Sequence, residues 1–153
     1  MKGLRPSIPR RRDCQGQSLV EFALVSLALV MLLFGVVEMC RLVLVYTTIS
    51  NAARVGIRYA TVHGFNNSAS LSTVQGVVNG YLGAATVNTA NATVNVCYAA
   101  SLATYTACSS SAGSPGNPGT AVTISVSYPY NPLTGYFPIN VNLSSTSQGV
   151  IAF

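Results

Sequence analysis

The sequence predicts an α+β protein, with a long N-terminal helix, one short helix and a small antiparallel sheet packed on the long helix. Three observations support this fold class. A long apolar segment begins near residue 19, and no proline interrupts the chain between Pro9 and Pro115. Apolar side chains then recur at three- and four-residue steps, as in a helix, and from about residue 93 at every second residue, as in strands. A chain of 153 residues has room for one small domain beside such a helix.

Charged residues are few and unevenly placed. Only 7% of the residues are charged, compared with roughly 25% in ordinary soluble domains. Most of the basic side chains precede residue 13, and residues 59–153 contain no Asp, Glu, Lys or Arg. A nucleic-acid-binding surface needs Lys and Arg clustered on the folded domain, so we expect no nucleic-acid partner.

A membrane-spanning helix is predicted at about residues 19–37. Nineteen residues at about 1.5 Å each give roughly 29 Å, close to the roughly 30 Å hydrocarbon core of a bilayer. The alternative, a buried helix of a soluble protein, is disfavoured by this length and by the basic cluster Arg10–Arg12 just before the segment. The same cluster places the N-terminus in the cytoplasm. We therefore expect a single-pass inner-membrane protein with a periplasmic C-terminal domain.

The apolar segment is expected to persist as an anchor. It is longer than the roughly 7–15 apolar residues of a cleaved signal peptide, and no A-x-A-like site follows it before Arg41. A lipoprotein site at Cys40 is also not expected, because Glu38 and Met39 stand where small or apolar residues would be needed.

Glu21 is the only ionisable residue in the predicted span. A carboxylate costs about 2.5–3.5 kcal/mol at the bilayer centre and less near an interface. Its place near the helix N-terminus also favours an anion. These considerations alone leave two interpretations equally open: a carboxylate that reaches the interface without function, or a charge that requires a partner.

The helical pattern continues past the membrane, so the predicted helix covers residues 17–63, roughly 70 Å at about 1.5 Å per residue. Its second part, about residues 38–63 (the stalk), should have its apolar face covered by an α+β domain formed by residues 64–153. Glu38 can reach Arg41 along this helix, and Arg54 lies one turn before Arg58. The predicted apolar face comprises Leu42, Val45, Tyr46, Ile49, Ala53, Gly56, Ile57 and Ala60.

The domain is predicted to contain a short helix and three strands. The helix covers about residues 70–82 and ends at Gly83. Each strand has one apolar face and one face of hydroxyl and amide side chains, which suits an antiparallel sheet packed on a helix. The strands are predicted at residues 93–98, 122–128 and 139–143, with a flexible loop at 109–119 and a turn-rich connection at 129–138.

Two of the four cysteines, Cys97 and Cys108, are predicted to pair. They lie eleven residues apart in a part of the chain expected in a compartment that permits disulfides. Closing this loop would contribute somewhat under about 3 kcal/mol. Cys14 is expected on the cytoplasmic side and Cys40 near the outer membrane face, so neither can easily reach that pair. No two cysteines have the C-x₂₋₄-C spacing of a zinc site.

Catalytic chemistry is not expected, because the predicted domain lacks the groups that move protons or activate nucleophiles. After Glu38 the chain has no carboxylate, and its single histidine, His63, stands at the end of the long helix. No phosphate-binding loop or metal-ligand pattern occurs. We therefore predict no catalytic residue, cofactor or metal.

Three segments, in order, are similar to segments of one known family. Gly16–Phe22 (GQSLVEF) resembles the processing site of type IV pilin-like precursors and, more closely, that of the TadE-like family, the pseudopilins of the tight-adherence (Flp/Tad) pilus. Ile49–Ala60 (ISNAARVGIRYA) and Val122–Leu133 (VTISVSYPYNPL) are similar to its helix motif and to its late strand and turn. The helix-motif residues that match are Asn51, Arg54, Arg58 and Tyr59. Residues 84–119 match least.

The resemblance implies a type IV pilin-like fold and cleavage after Gly16 by a prepilin peptidase. Residues 1–16 would then be a cytoplasmic leader, and cleavage would free the amine of Gln17. Glu21, followed by the aromatic Phe22, would pair with such an amine on a neighbouring subunit, which would offset its burial cost. This implication favours the functional interpretation of Glu21.

The resulting hypothesis is a pseudopilin or minor pilin that contributes to pilus assembly and surface attachment. Its partners would be other pilin-like subunits through their transmembrane helices, the inner-membrane assembly platform, the prepilin peptidase and the lipid bilayer. One alternative is a membrane-anchored adhesin that contacts a surface or glycan through the loop of residues 128–137. Another is a structural membrane subunit that is never processed or incorporated into a pilus.

Overall fold

The computed structural model describes residues 15–64, 69–85, 87–99, 108, 110–113, 115, 118–132 and 140–152. These residues form two compact units, one reaching Val37 and one beginning at Glu38. The predicted α+β class is confirmed: a long apolar helix, a short helix and a three-stranded antiparallel sheet. The elements are helix α1 (Gln15–His63), helix α2 (Leu71–Ala84), a 3-10 turn (Thr89–Asn91) and strands β1 (Thr93–Ala99), β2 (Ala121–Tyr130) and β3 (Val141–Val150).

Several predictions concern residues outside the described ranges. Residues 1–14 of the predicted leader, Cys14 among them, lie outside, as do Ile139 of the third predicted strand and residues 133–137 of the proposed adhesive loop.

In the second unit, α1 buries one face in the core of the domain. Its buried side chains are Val45, Ile49, Ala52, Ala53, Ile57 and Ala60. The predicted apolar face is correct except at Tyr46, which is 47% exposed. Successive residues of a helix are rotated by about 100°, and at this level the buried face is centred on Val45, which leaves Tyr46 turned aside.

Gly56 marks the place where α1, α2 and β2 meet. A Cβ atom added there would lie 2.5 Å from Val78 Cγ2 and 2.8 Å from Ile124 Cδ1, both far inside van der Waals contact. The helix can pack this closely against both elements only because the residue has no side chain.

Helix α2 is capped at its start by Ser70, whose hydroxyl accepts a hydrogen bond from the amide of Thr73 at 3.3 Å. It buries Val74, Val78 and Leu82 in the core. Gly83 does not end the helix as predicted. The helix continues to Ala84 and closes through the amide of Ala85, which reaches the Tyr81 carbonyl with a negative φ, so no glycine is needed there.

The sheet has the order β1-β2-β3, and both pairings are antiparallel. Strand β2 continues through Pro129 and Tyr130, where a turn was predicted. Pairing with β1 ends at Ser127, so Pro129 has a paired strand on the β3 side only. A proline, which lacks an amide hydrogen, can occupy such a position. Strand β3 runs to Val150, well beyond the predicted end at Leu143, because β2 pairs with it along its whole length.

The outer edge of β1 is covered by residues 110–113, which lie in the segment predicted to be a flexible loop. The amide of Tyr98 donates to the Ala112 carbonyl, and the amide of Ala112 donates to the Val96 carbonyl, both at 3.0 Å. The Gln75 side chain donates to the Val94 carbonyl and the Ser111 hydroxyl, each at 2.9 Å. These polar contacts hold the segment in place although it has no strand-like sequence pattern.

The predicted disulfide is present and lies beside this covered edge. Cys97 of β1 and Cys108 are bonded, with Cα atoms 5.8 Å apart. Cys40 is a free, exposed cysteine on α1.

Candidate assembly surface

The first part of α1 presents an apolar surface that its own chain leaves uncovered. Each large apolar side chain from Leu19 to Val37 is at least 46% exposed. By length and composition this helix is a candidate membrane span. An apolar surface of this extent is typical of a helix surrounded by lipid or by other apolar helices.

The predicted processing residues, Gly16 and Gln17, lie in the first turn of α1 and are exposed. A Cβ atom added to Gly16 would meet nothing within 4 Å. A protease cleft takes extended backbone, so cleavage after Gly16 would require the first turn to unwind. Glycine has weak helix propensity, about 1 kcal/mol below alanine, which lowers the cost of that unwinding.

Glu21 and Phe22 are also exposed on α1, and Phe22 is the most exposed large apolar residue of the helix at 73%. Among the described residues, Glu21 has no ion-pair partner; the salt bridge seen in that part of the chain joins Arg41 and Glu38. Glu21 lies one turn after Gln17, on the same face of the helix. The Glu21 carboxylate therefore lies on the exposed face of the helix that also carries the Gln17 side chain.

The helix-motif residues do not act as one unit. Asn51, Arg54 and Arg58 are exposed, whereas Tyr59 is half-buried against the core. The Tyr59 ring stacks on His63 with centroids 4.3 Å apart, and His63 Nδ1 lies 3.1 Å from the Tyr59 carbonyl oxygen. His63 is thus held by contacts with Tyr59 at the end of the helix. Arg54 and Arg58 remain exposed on its surface.

A polar cluster joins the start of the stalk to the end of β2. The predicted Glu38–Arg41 pair is present, with Arg41 Nη1 3.7 Å from Glu38 Oε1. The buried Tyr130 hydroxyl donates to the Glu38 carboxylate, and the Arg41 guanidinium lies 5.3 Å from the Tyr130 ring centroid. Burial, followed by the hydrogen bond to Glu38, raises the pKa of Tyr130 above its ordinary value.

Sequence reasoning found the two helical members of this cluster but not Tyr130, which is 92 residues from Glu38. The apolar alternation of β2 predicted burial for Tyr128, whereas Tyr130 stood in a presumed turn. The sequence offered one signal for this contact. A tyrosine buried at the end of a strand needs a hydrogen-bond partner for its hydroxyl, and no other buried polar partner was predicted.

Among the residues that the structure describes, no three His, Cys, Asp or Glu side chains come together as metal ligands. The described part of the chain instead offers three features. These are the apolar surface of α1 with the Glu21 carboxylate, the exposed arginines Arg54 and Arg58, and the polar cluster at Glu38.

Comparison with known proteins gave one finding. Residues 16–58 match the family of TadE-like proteins, which confirms the resemblance of Gly16–Phe22 and of most of Ile49–Ala60; the similarity of Val122–Leu133 lies outside the match. The match contains Gly16, Glu21, Arg54 and Arg58 and ends one residue before Tyr59. It spans well under half of the chain, and residues 59–153 lie outside it. No curated protein and no solved structure matches the chain.

Proposed function

We propose that this chain, whose residues 16–58 are those of a TadE-like protein, is a minor pilin or pseudopilin that contributes to assembly of a Tad (Flp) pilus and to surface attachment. The family match implies a pilin-like, structural protein associated with that pilus. One observation carries the proposal: the matched segment contains the part of α1, from Leu19 to Val37, whose large apolar side chains are left uncovered.

The exposed helix surface supports a two-stage use of α1. In the membrane, lipid would cover the apolar side chains around Phe22 and Phe34. In an assembly, the corresponding helices of neighbouring subunits would replace the lipid. The inner-membrane assembly platform would bring such helices together, and no catalysis by this chain is needed.

Orientation and processing belong to the same proposal. Arg10–Arg12 would hold the N-terminus in the cytoplasm and place the domain in the periplasm. A prepilin peptidase would cleave after Gly16 at the cytoplasmic face and free the amine of Gln17. The Glu21 carboxylate, which has no ion-pair partner among the described residues, would then pair with that amine on a neighbouring subunit.

Intact-mass measurement of the purified chain, co-expressed with its native prepilin peptidase, tests processing. We expect a mature chain that begins at Gln17, and we expect Gly16→Leu to leave the chain uncut because a branched side chain obstructs the protease cleft. Gly35→Leu is the matched control, since an added Cβ at Gly35 also meets nothing within 4 Å and this glycine lies far from the cleavage site. An uncut wild-type chain would reject processing.

An uncut chain would leave the two alternatives, the anchored adhesin and the unprocessed structural subunit. Surface attachment by cells carrying only the uncut chain would favour the adhesin, whereas loss of attachment would favour the structural subunit.

A further inference from the structure

A polar groove lies between the stalk part of α1 and strand β3. Its volume is about 470 Å³, within the roughly 300–1,000 Å³ typical of small-molecule sites. The lining residues are Ser50 and Arg54 from the helix and Ser145, Thr146, Ser147 and Gln148 from the strand. We call it the Arg54 groove.

The groove exists because β3 carries small polar residues where its inner face meets the helix. Alternation places Ser145 and Ser147 on the same face as Leu143, which is buried, and Gly149. At Gly149 the strand touches the helix, since an added Cβ would lie 2.8 Å from Thr61 Cγ2. The two serines are opposite Val126 and Ile124, both fully buried core residues. The two serines are themselves half-buried on the edge strand, so their hydroxyl side chains leave a polar gap beside the core.

The positive charge in the groove is not balanced within the described chain. Arg54 is exposed, and in the described part of the chain the salt bridge is formed by Arg41, not by Arg54. No acidic residue follows Glu38 in the sequence, and Glu38 is already engaged by Arg41 and Tyr130. A planar guanidinium in this setting is suited to a carboxylate, which it can bind through two parallel hydrogen bonds.

The remaining lining specifies the rest of the ligand. Hydroxyl and amide groups both donate and accept hydrogen bonds, as the hydroxyl groups of a sugar do. No aromatic or aliphatic side chain lines the groove, so an acyl chain or an aromatic ring would find no apolar contact there.

From these observations we propose that the Arg54 groove binds a carboxylated sugar of the hexuronic acid class. Arg54 would pair with the carboxylate, and Ser50, Ser145 and Ser147 would hydrogen-bond the ring hydroxyls. This site is independent of the proposed role in pilus assembly, because it lies on the domain and uses none of the residues from Gly16 to Val37. It would bring the protein into contact with uronate-bearing polysaccharides.

Isothermal titration calorimetry of the full-length protein in lipid nanodiscs tests this proposal with three probes. We expect saturable binding of D-galacturonate with a dissociation constant in the millimolar range, about 1 mM in order of magnitude. D-galactose, which lacks the carboxylate, and inorganic sulfate, which lacks the ring hydroxyls, should each bind at least about tenfold more weakly. Equal affinity for sulfate would show a bare anion site and overturn the proposal, as would equal affinity for galactose.

Matched variants locate the site. Arg54→Gln should weaken galacturonate binding at least about tenfold, whereas Arg58→Gln, one turn further and outside the lining, removes the same charge and should stay within about twofold of wild type. Ser147→Val keeps both arginines but replaces a lining hydroxyl by methyl groups, and it should also weaken binding at least about tenfold. Circular dichroism checks that each variant is folded. Equal losses in the two arginine variants, or full binding by Ser147→Val, would overturn the assignment, as would the absence of saturable binding by wild type.

Discussion

At the scale of single residues, the domain depends on a few tyrosine hydroxyls because it has almost no charges. Tyr98 donates a hydrogen bond to the Ala69 carbonyl at 2.6 Å and is 8% exposed. Tyr130 makes the corresponding contact to the Glu38 carboxylate. Each hydroxyl joins a strand to a segment distant in sequence, so each contributes to the tertiary arrangement and not only to its own strand.

Burial raises the pKa of Tyr98 to about 12, above the value near 10 expected in the unfolded chain. The folded protein therefore holds this proton more tightly than the unfolded protein. Stability from this group is fully present below pH 10 and is lost as the pH rises from about 10 to 12. Tyr98→Phe should lower the free energy of unfolding by about 1 kcal/mol at neutral pH and reduce its decline above pH 10.

Chemical denaturation of the detergent-solubilised chain at several pH values measures both effects. Tyr81→Phe is the control, because Tyr81 lies on α2 and is 37% exposed. If Tyr98→Phe retained the wild-type decline above pH 10, the decline would have to be assigned to another group, with Tyr130 the first to test.

Glu21 gives a second prediction at this scale. Glu21→Gln removes the charge proposed to pair with a neighbouring amine but keeps the size of the side chain. We expect membrane insertion to remain normal and the number of pili to fall sharply, by about tenfold or more if the pair is buried in the assembled state. Electron microscopy of cells and membrane fractionation measure the two outcomes.

Ser26→Ala serves as the control for this variant, because the Ser26 hydroxyl donates only to the carbonyl of Ala23 within its own helix among the described residues. Pili at wild-type number in the Glu21→Gln strain would remove the proposed role of the carboxylate.

At the scale of elements, predictions from the sequence are correct where one apolar pattern decides the structure. The long helix and the strands at β1 and β2 follow from such patterns, and so does the short helix. Strand β3 does not, because Ser144 to Gln148 has no apolar alternation and becomes a strand only through pairing with β2. The Arg54 groove depends on that pairing, so the sequence could supply its arginine but not the opposite wall.

The disulfide ties strand β1 to Cys108, just before the segment 110–113 that covers its edge, and its removal is the test at this scale. The double variant Cys97→Ser, Cys108→Ser should lose about 2–3 kcal/mol of stability, as expected for a short closed loop. It should also accelerate hydrogen exchange at the amide of Tyr98, which the neighbouring segment protects. Thermal unfolding and hydrogen-exchange mass spectrometry measure these effects.

Cys40→Ser is the control, since Cys40 is exposed and free. A double variant with unchanged stability would show that the Gln75 and Ser111 hydrogen bonds hold the segment without help from the covalent bond.

At the scale of the whole molecule, the sequence divides into a charged arm, an apolar helix and a nearly uncharged domain. This division predicts the topology more directly than any fold comparison, because it depends on where charges are tolerated. Residues 59–153, which include the whole domain, contain no Asp, Glu, Lys or Arg, so the domain has no positive charges that would favour the cytoplasmic side.

Cysteine labelling tests the topology. In spheroplasts, a membrane-impermeant maleimide should label Cys40, which is exposed. In a Cys40→Ser variant expressed without the peptidase, Cys14 of the leader should be labelled only after the cells are permeabilised. Labelling of Cys14 in intact spheroplasts would reverse the proposed orientation.

The covering of β1 by residues 110–113 limits how copies of the chain could polymerise. A sheet that grows by strand addition needs two open borders, one to receive a copy and one to offer to the next. Here the edge of β1 is already covered, so pairing of the β3 strands of two copies would give a dimer without a free strand edge. Growth of the sheet would stop at that dimer. Among the described residues the sheet therefore has one free strand edge, and we expect an extended polymer to grow through other surfaces, the uncovered side chains of α1 among them.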